Sequence, residues 1–139
     1  MSWSDTERQM MEKLRETQVP LASLTPSDSD MCRWDAENDE YIVELKNRPG
    51  RQYQDTMIEL SKYNALLDEA KSSGRDALYV VQSAGAIYIF NITRLDQEEY
   101  NFKWHTRNCK TTTHFNNNSY TEKEVGYLQW KDAKVKLEV

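Results

Sequence analysis

The run RWDAENDEYIVELKNR, Arg33 to Arg48, constrains this chain more than any other segment. It reads as two short strand-like runs around a polar turn at Asn38 and Asp39. Charged side chains, Asp35, Glu44 and Lys46, stand among its apolar residues. A strand that only filled a core would have no use for them. A tight turn with Glu37 opposite Glu40 sets Ala36 against Tyr41 and Asp35 against Ile42. Side chains alternate along a strand, so Asp35, Ile42, Glu44 and Lys46 then share one face. Glu44 is the diagonal cross-strand neighbour of Asp35 in that register. The other face carries Trp34, Tyr41, Val43 and Leu45. A turn longer by one residue sends Asp35 to the opposite face.

Two carboxylates and a lysine on one face suit hydrolysis of a phosphodiester. Oxygen ligands hold Mg²⁺, which keeps several of its waters. A bound metal acidifies a water and neutralises charge developing on the phosphate. A neighbouring lysine orients the nucleophile or stabilises that charge. Carboxylates packed together repel, which favours a cation between them. The same three residues are also what a solvated strand face looks like, with Lys46 pairing Glu44.

Around the hairpin the pattern is mixed. Ser4 and Glu7 form a capping box, so a helix starts at Asp5 and runs DTERQMMEKLRET, with Met10, Met11 and Leu14 as its apolar side. Pro20 and Pro26 bracket a loop, with a short strand around Leu21 to Leu24. Pro49-Gly50 ends the hairpin. QDTMIELSKYNALLDEAKSS reads as a helix with a broad apolar face, closed by Gly74. ALYVVQ and AIYIFNI are the clearest strands, joined through Ser83-Ala84-Gly85. RLDQEEY reads as a helical turn. NFKWHTR and KEVGYLQW read as later strands, separated by the polar run NCKTTTHFNNNSYTE. The order is α, β, β, β, α, β, β and further β, mixed α and β in one domain.

Composition bounds the function classes. A chain of 139 residues makes one domain with one modest core. Charged residues make up 29% and the mean hydropathy is −0.88. No apolar run approaches the ~20 residues that span a bilayer, and no apolar signal core follows the start MSWSDTERQMMEKL. The expectation is a cytoplasmic protein with no membrane partner. Its cysteines, Cys32 and Cys109, are then free thiols. The net charge of −5 speaks against broad adhesion to nucleic acid, while leaving room for a local basic groove. His105, Cys109, His114 and Cys32 have spacings compatible with zinc, but no Cys-x-x-Cys pair supports it. Cys109 near histidines has no nucleophile motif around it. Tyr100, Phe102, Trp104 and Phe115 lie among Lys103, Arg107 and Lys110. Such interleaving stacks single strands in some proteins; the favoured reading is the buried face of a strand.

WDAENDEYIVELKNR, followed by the helix MIELSKYNALL, resembles the PD-(D/E)XK nuclease superfamily, the restriction-endonuclease-like fold. The resemblance covers about residues 5 to 92 and has the flavour of small phage-encoded members. That family's core runs α-β-β-β-α-β, with an acid on the second strand and an acid-x-Lys triplet on the third. Asp35 matches the first acid, and Glu44-Leu45-Lys46 the triplet. The motif's proline is absent, with Trp34 in its place. The resemblance implies an α+β fold with a central mixed β-sheet flanked by helices. Residues 5–92 are its nuclease-like core, and 94–139 are extra C-terminal strands extending the sheet. It implies a metal-dependent nuclease acting on DNA, whether endonuclease or exonuclease. Asp35 and Glu44 would ligate Mg²⁺ or Mn²⁺, and Lys46 would position the attacking water. In some branches the first helix adds an acid, here Glu12, with Glu16 and Glu7 behind it. The helix after the triplet offers Lys62 and Tyr63, and Arg48 and Arg51 are placed to contact phosphate. The implied partners are single-stranded, duplex or branched DNA and a second copy of the chain. The alternative is an inactive nuclease fold that binds DNA or a host protein as inhibitor or adaptor. The location would be the cytoplasm, that of the host if the chain is phage-encoded.

Overall fold

In the computed structural model, the structure describes residues 5–27, 34–49, 52–100, 102–110 and 120–138. Helix α1 (Asp5–Thr17) turns Met10, Met11 and Leu14 inward. A short 3-10 turn at Val19–Leu21, with Pro20 in its first turn, takes the place of the strand expected at Leu21 to Leu24. The strand there falls later, as β1 (Thr25–Pro26). Then come β2 (Ala36–Glu37) and the long β3 (Tyr41–Arg48).

The next element departs from the sequence reading. Residues 55–59 were expected to open a helix. They form β4 (Asp55–Glu59), and helix α2 (Leu60–Ser73) begins only after them. Thr56 and Ile58 are buried while their neighbours are half-buried, a period of two. β-Branched residues suit such a strand. Helix α2 buries Tyr63, Leu66, Leu67 and Ala70, spaced i, i+3, i+4 and i+7. Gly74 closes it in the left-handed conformation, with φ 71° and its N–H on the Ala70 carbonyl.

Strands β5 (Asp76–Ser83) and β6 (Ala86–Asn91) form the apolar hairpin. Ala84 and Gly85 both take positive φ, 49° and 78°, which matches the twist of a two-residue hairpin turn. A short α3 (Ile92–Gln97) is capped by Asn91, whose side chain accepts from the Arg94 N–H. Strands β7 (His105–Lys110), β8 (Tyr120–Gln129) and β9 (Val135–Glu138) complete the chain.

Six strands make the main sheet, in the order β1-β2-β3-β5-β6-β9. Strand β3 pairs β2 antiparallel and β5 parallel, and α2 lies in the crossover between β3 and β5. A parallel strand at the centre of a sheet must be covered on both sides. Ile42 of β3 packs with Ile58, Tyr63 and Leu66 on the α2 side. Val43 and Leu45 pack with Met10, Met11 and Leu14 on the α1 side. The C-terminal strands were expected to extend this sheet. Only β9 does so, against β6. Strands β7 and β8 instead join β4 in a second, three-stranded sheet ordered β4-β8-β7. Gly126 of β8 lets that sheet close down. A Cβ there would come within 2.6 Å of Phe102 and 2.9 Å of Trp104. Those two rings stack at 4.7 Å and reach Tyr63 of α2. Tyr100, Phe102 and Trp104 thus pack half-buried against the core, but on the segment before β7 rather than as the buried face of a strand.

Candidate active site

The hairpin places its acids closer than expected. The turn loop is Asp39-Glu40, not Asn38-Asp39. The Asn38 N–H donates to the Tyr41 carbonyl, and the Asn38 side chain accepts from the Glu40 and Tyr41 N–H groups. Ala36 therefore pairs with Val43 and Glu37 with Ile42. Moving the turn by one residue changes the register by two, so the faces keep their occupants. Continuing the register sets Asp35 opposite Glu44 rather than diagonal to it. The Asp35 N–H donates to the Val43 carbonyl at 2.9 Å, and Asp35 Oδ2 accepts from the Leu45 N–H at 2.8 Å. Trp34 is the exception to the expected faces. It packs against the α2-side cluster and donates from Nε1 to Glu37 Oε2 at 2.8 Å.

Electrostatics mark the pair. Glu44 is 7% exposed. Burial first, then the Asp35 charge, push its carboxyl up to about 7, against the pull of Lys62 and Lys46. Burial also raises Asp35, opposed by the Leu45 N–H, and the Glu7 charge raises it further. A close like-charge pair of this kind, with Glu44 buried and Asp35 half-buried, favours a cation or a shared proton. Lys62 of α2 reaches Glu44 Oε1 at 3.5 Å. Lys46 is exposed on the same strand face and acts on Glu44 through its charge. Asp35, Glu44, Lys46 and Lys62 thus come together.

Other expected site residues lie elsewhere. Glu12 is exposed and is not among the groups acting on Asp35 or Glu44. The helix acid near the site is Glu7. Met10, Met11 and Leu14 stand three, four and seven residues after Glu7, on its face of α1, and Glu12 is turned away from them. That spacing was the signal available in the sequence. Tyr63 is core: its ring meets Phe102 and Trp104, and its hydroxyl donates to Asp96 at 2.8 Å. Arg48 shares the face of Glu44 but turns inward. Its guanidinium donates to the Met57 carbonyl at 3.0 Å and to the Tyr79 hydroxyl at 3.3 Å, and its buried Nε has no partner among the described residues. It ties β3 to β4 rather than facing a phosphate. Arg51 lies outside the described residues, as do Ser4, Cys32, His114, Phe115 and the side chain of Cys109.

Tyr79, paired with Glu44 across β3 and β5, was missed by sequence reasoning. Its hydroxyl donates to the Met57 carbonyl, and burial pushes it up to about 12. A tyrosine in an apolar strand gives no sign of such a place.

Among the described residues, no three His, Cys, Asp or Glu side chains converge into a metal cage. Mg²⁺ does not require one. It is held through one or two carboxylates, with waters and substrate phosphates supplying the rest. The buried carboxylate of Glu44 and the half-buried one of Asp35 repel each other and are a donor set that fits it.

The chain has an α+β fold of the restriction-endonuclease-like kind, a central mixed sheet flanked by helices. Among solved structures it is similar to Hjc, a Holliday junction resolvase from the archaeal hyperthermophile Archaeoglobus fulgidus, with a TM-score of 0.53. The match covers 96% of this chain and 88% of that one at 16% identity. At that identity the likeness establishes the fold. No family model matches the sequence, and no curated protein matches it. No described helix is long and apolar enough to cross a membrane.

Proposed function

We propose that the protein is a metal-dependent nuclease that hydrolyses phosphodiester bonds in DNA. One observation carries this reading: Asp35 and Glu44 stand opposite each other on one sheet face, with Lys46 two residues along. The fold shared with a Holliday junction resolvase supports it. Asp35 and Glu44 would hold Mg²⁺ or Mn²⁺. Such a metal, when bound, lowers the pKa of a water and offsets charge on the scissile phosphate.

The chain's own residues supply the rest. The Leu45 N–H fixes the Asp35 carboxylate in place before any ligand arrives. Lys62 stabilises the ionised form of Glu44, which burial and Asp35 disfavour. Lys46, exposed at the rim, is free to hold the attacking water or the phosphate oxygens by hydrogen bonds. Cleavage of both strands of a duplex needs two such sites, so the reading carries a homodimer.

The Lys62–Glu44 pair also supports a second reading. An ammonium group already answers one carboxylate, as in a nuclease fold that binds DNA without cutting it. Cleavage assays separate the two. Wild type, Asp35→Ala and Lys46→Ala would be incubated with single-stranded, duplex and four-way branched DNA in Mg²⁺ or Mn²⁺. Metal-dependent cutting by wild type, lost in both variants, is expected. DNA binding without cutting in any metal would leave the second reading standing. Equal residual cutting in all three proteins would trace the activity to a contaminant.

A further inference from the structure

We propose that the outer face of the second sheet, carrying Arg107 and Lys123, is a docking surface for the DNA backbone beside the cleaved bond. The inference rests on the nuclease reading and assigns a role to β7 and β8.

Arg107 and Lys123 are direct cross-strand partners. Like charges placed opposite each other destabilise a strand pair, so an arrangement of this kind calls for an anion. Strand alternation sets both on the face that also carries Tyr127, Met57, Glu59 and the buried Val125, with Arg107 at its exposed end. The opposite face, with Ile58 and Leu128, belongs to the core. Lys123 is held by Glu59 at 3.0 Å. Arg107 meets no carboxylate among the described residues. Its Nη1 lies 3.0 Å from the Tyr127 hydroxyl and 4.0 Å from Met57 Sδ. It is thus an exposed cation oriented by a phenol and a thioether, with no opposite charge on it among the described residues.

This face borders the site. Glu59 ends β4 and leads directly into α2, where Lys62 reaches Glu44. Lys123 also lines an open hollow with Ser61 and Asn64 at the start of α2, beside the carboxylate Glu124. The cations Lys46, Lys62, Lys123 and Arg107 are therefore linked step by step from the hairpin to β7. In a chain of net charge −5, such a local run is the feature a polyanion would seek. Phe102 and Trp104 are used in packing on the core side, and Tyr127 on this face is engaged by Arg107, which favours phosphate contacts over base stacking.

The test is salt-dependent binding of fluorescein-labelled duplex and four-way branched DNA. Asp35→Ala serves as the background, so Mg²⁺ can be present without cutting. Each phosphate contact contributes about 0.9 to the slope of log affinity against log salt. Arg107→Gln and Lys123→Gln should each reduce the slope by about 1, and the double variant by about 2. Arg107→Lys should restore most of the slope, which separates lost charge from lost folding. Glu122→Gln, on the opposite face, should not reduce it. Unchanged slopes in the Gln variants, with wild type still cutting DNA, would overturn this inference and leave the nuclease reading intact. A wild type that neither binds nor cuts DNA would overturn both.

Discussion

Replacing Glu44 with Gln keeps the side chain's shape and removes its charge. The Glu44 carboxyl is raised from its ordinary 4.5 to about 7, chiefly by burial and then by Asp35. Between those values the folded protein holds a proton that the unfolded chain has released. Stability therefore falls as pH climbs from 4.5 to 7. Below that window both states are protonated and nothing is lost; above it the full penalty applies. One pKa unit corresponds to about 1.4 kcal/mol, so the penalty for this buried group is on the order of 3 kcal/mol in the metal-free protein. Gln does not titrate. Urea denaturation in EDTA at several pH values should show the Glu44→Gln variant gaining on wild type through this window. The relative gain should approach ~3 kcal/mol near pH 8, reduced by whatever Lys62 loses without its partner. Saturating Mg²⁺ should flatten the wild-type loss and leave the variant unmoved. Parallel pH profiles of the two proteins in EDTA would refute the reasoning.

Three other outcomes follow from the packing. Gly126→Ala should destabilise by about 1–3 kcal/mol in chemical denaturation, because its Cβ would press on Phe102 and Trp104. Tyr63→Phe should lose about 1 kcal/mol of stability with its bond to Asp96, while leaving DNA cleavage rates unchanged. Glu7→Gln should lower the Asp35 pKa in an NMR titration by removing a neighbouring negative charge, whereas Glu12→Gln should leave it in place.

Much of the candidate site's arrangement could be read from the sequence because strand geometry protects it. Side chains repeat every two residues, so misplacing the turn by one residue still left Asp35, Glu44 and Lys46 on one face. The apolar hairpin of β5 and β6 and the closing Gly74 were equally legible, from local pattern and turn chemistry. What failed depended on distant partners. Residues 55–59 carry apolar side chains that continue into a helical pattern, and only pairing with β8 makes them a strand. Arg48 looked like a free cation after the triplet, yet its partners come from β4 and β5. Tyr63 lies at a position where core and site look alike in sequence. Its neighbours Phe102 and Trp104 arrive from about 40 residues away.

The pairing of Asp35 with Glu44 as a metal centre is tested most directly by a crystal soaked in Mn²⁺ and measured at the manganese absorption edge. An anomalous peak in contact with both carboxylates is expected, with Lys62 displaced from Glu44 or sharing it. A peak elsewhere, or none with Lys62 still on Glu44 at saturating Mn²⁺, would contradict the proposed active site.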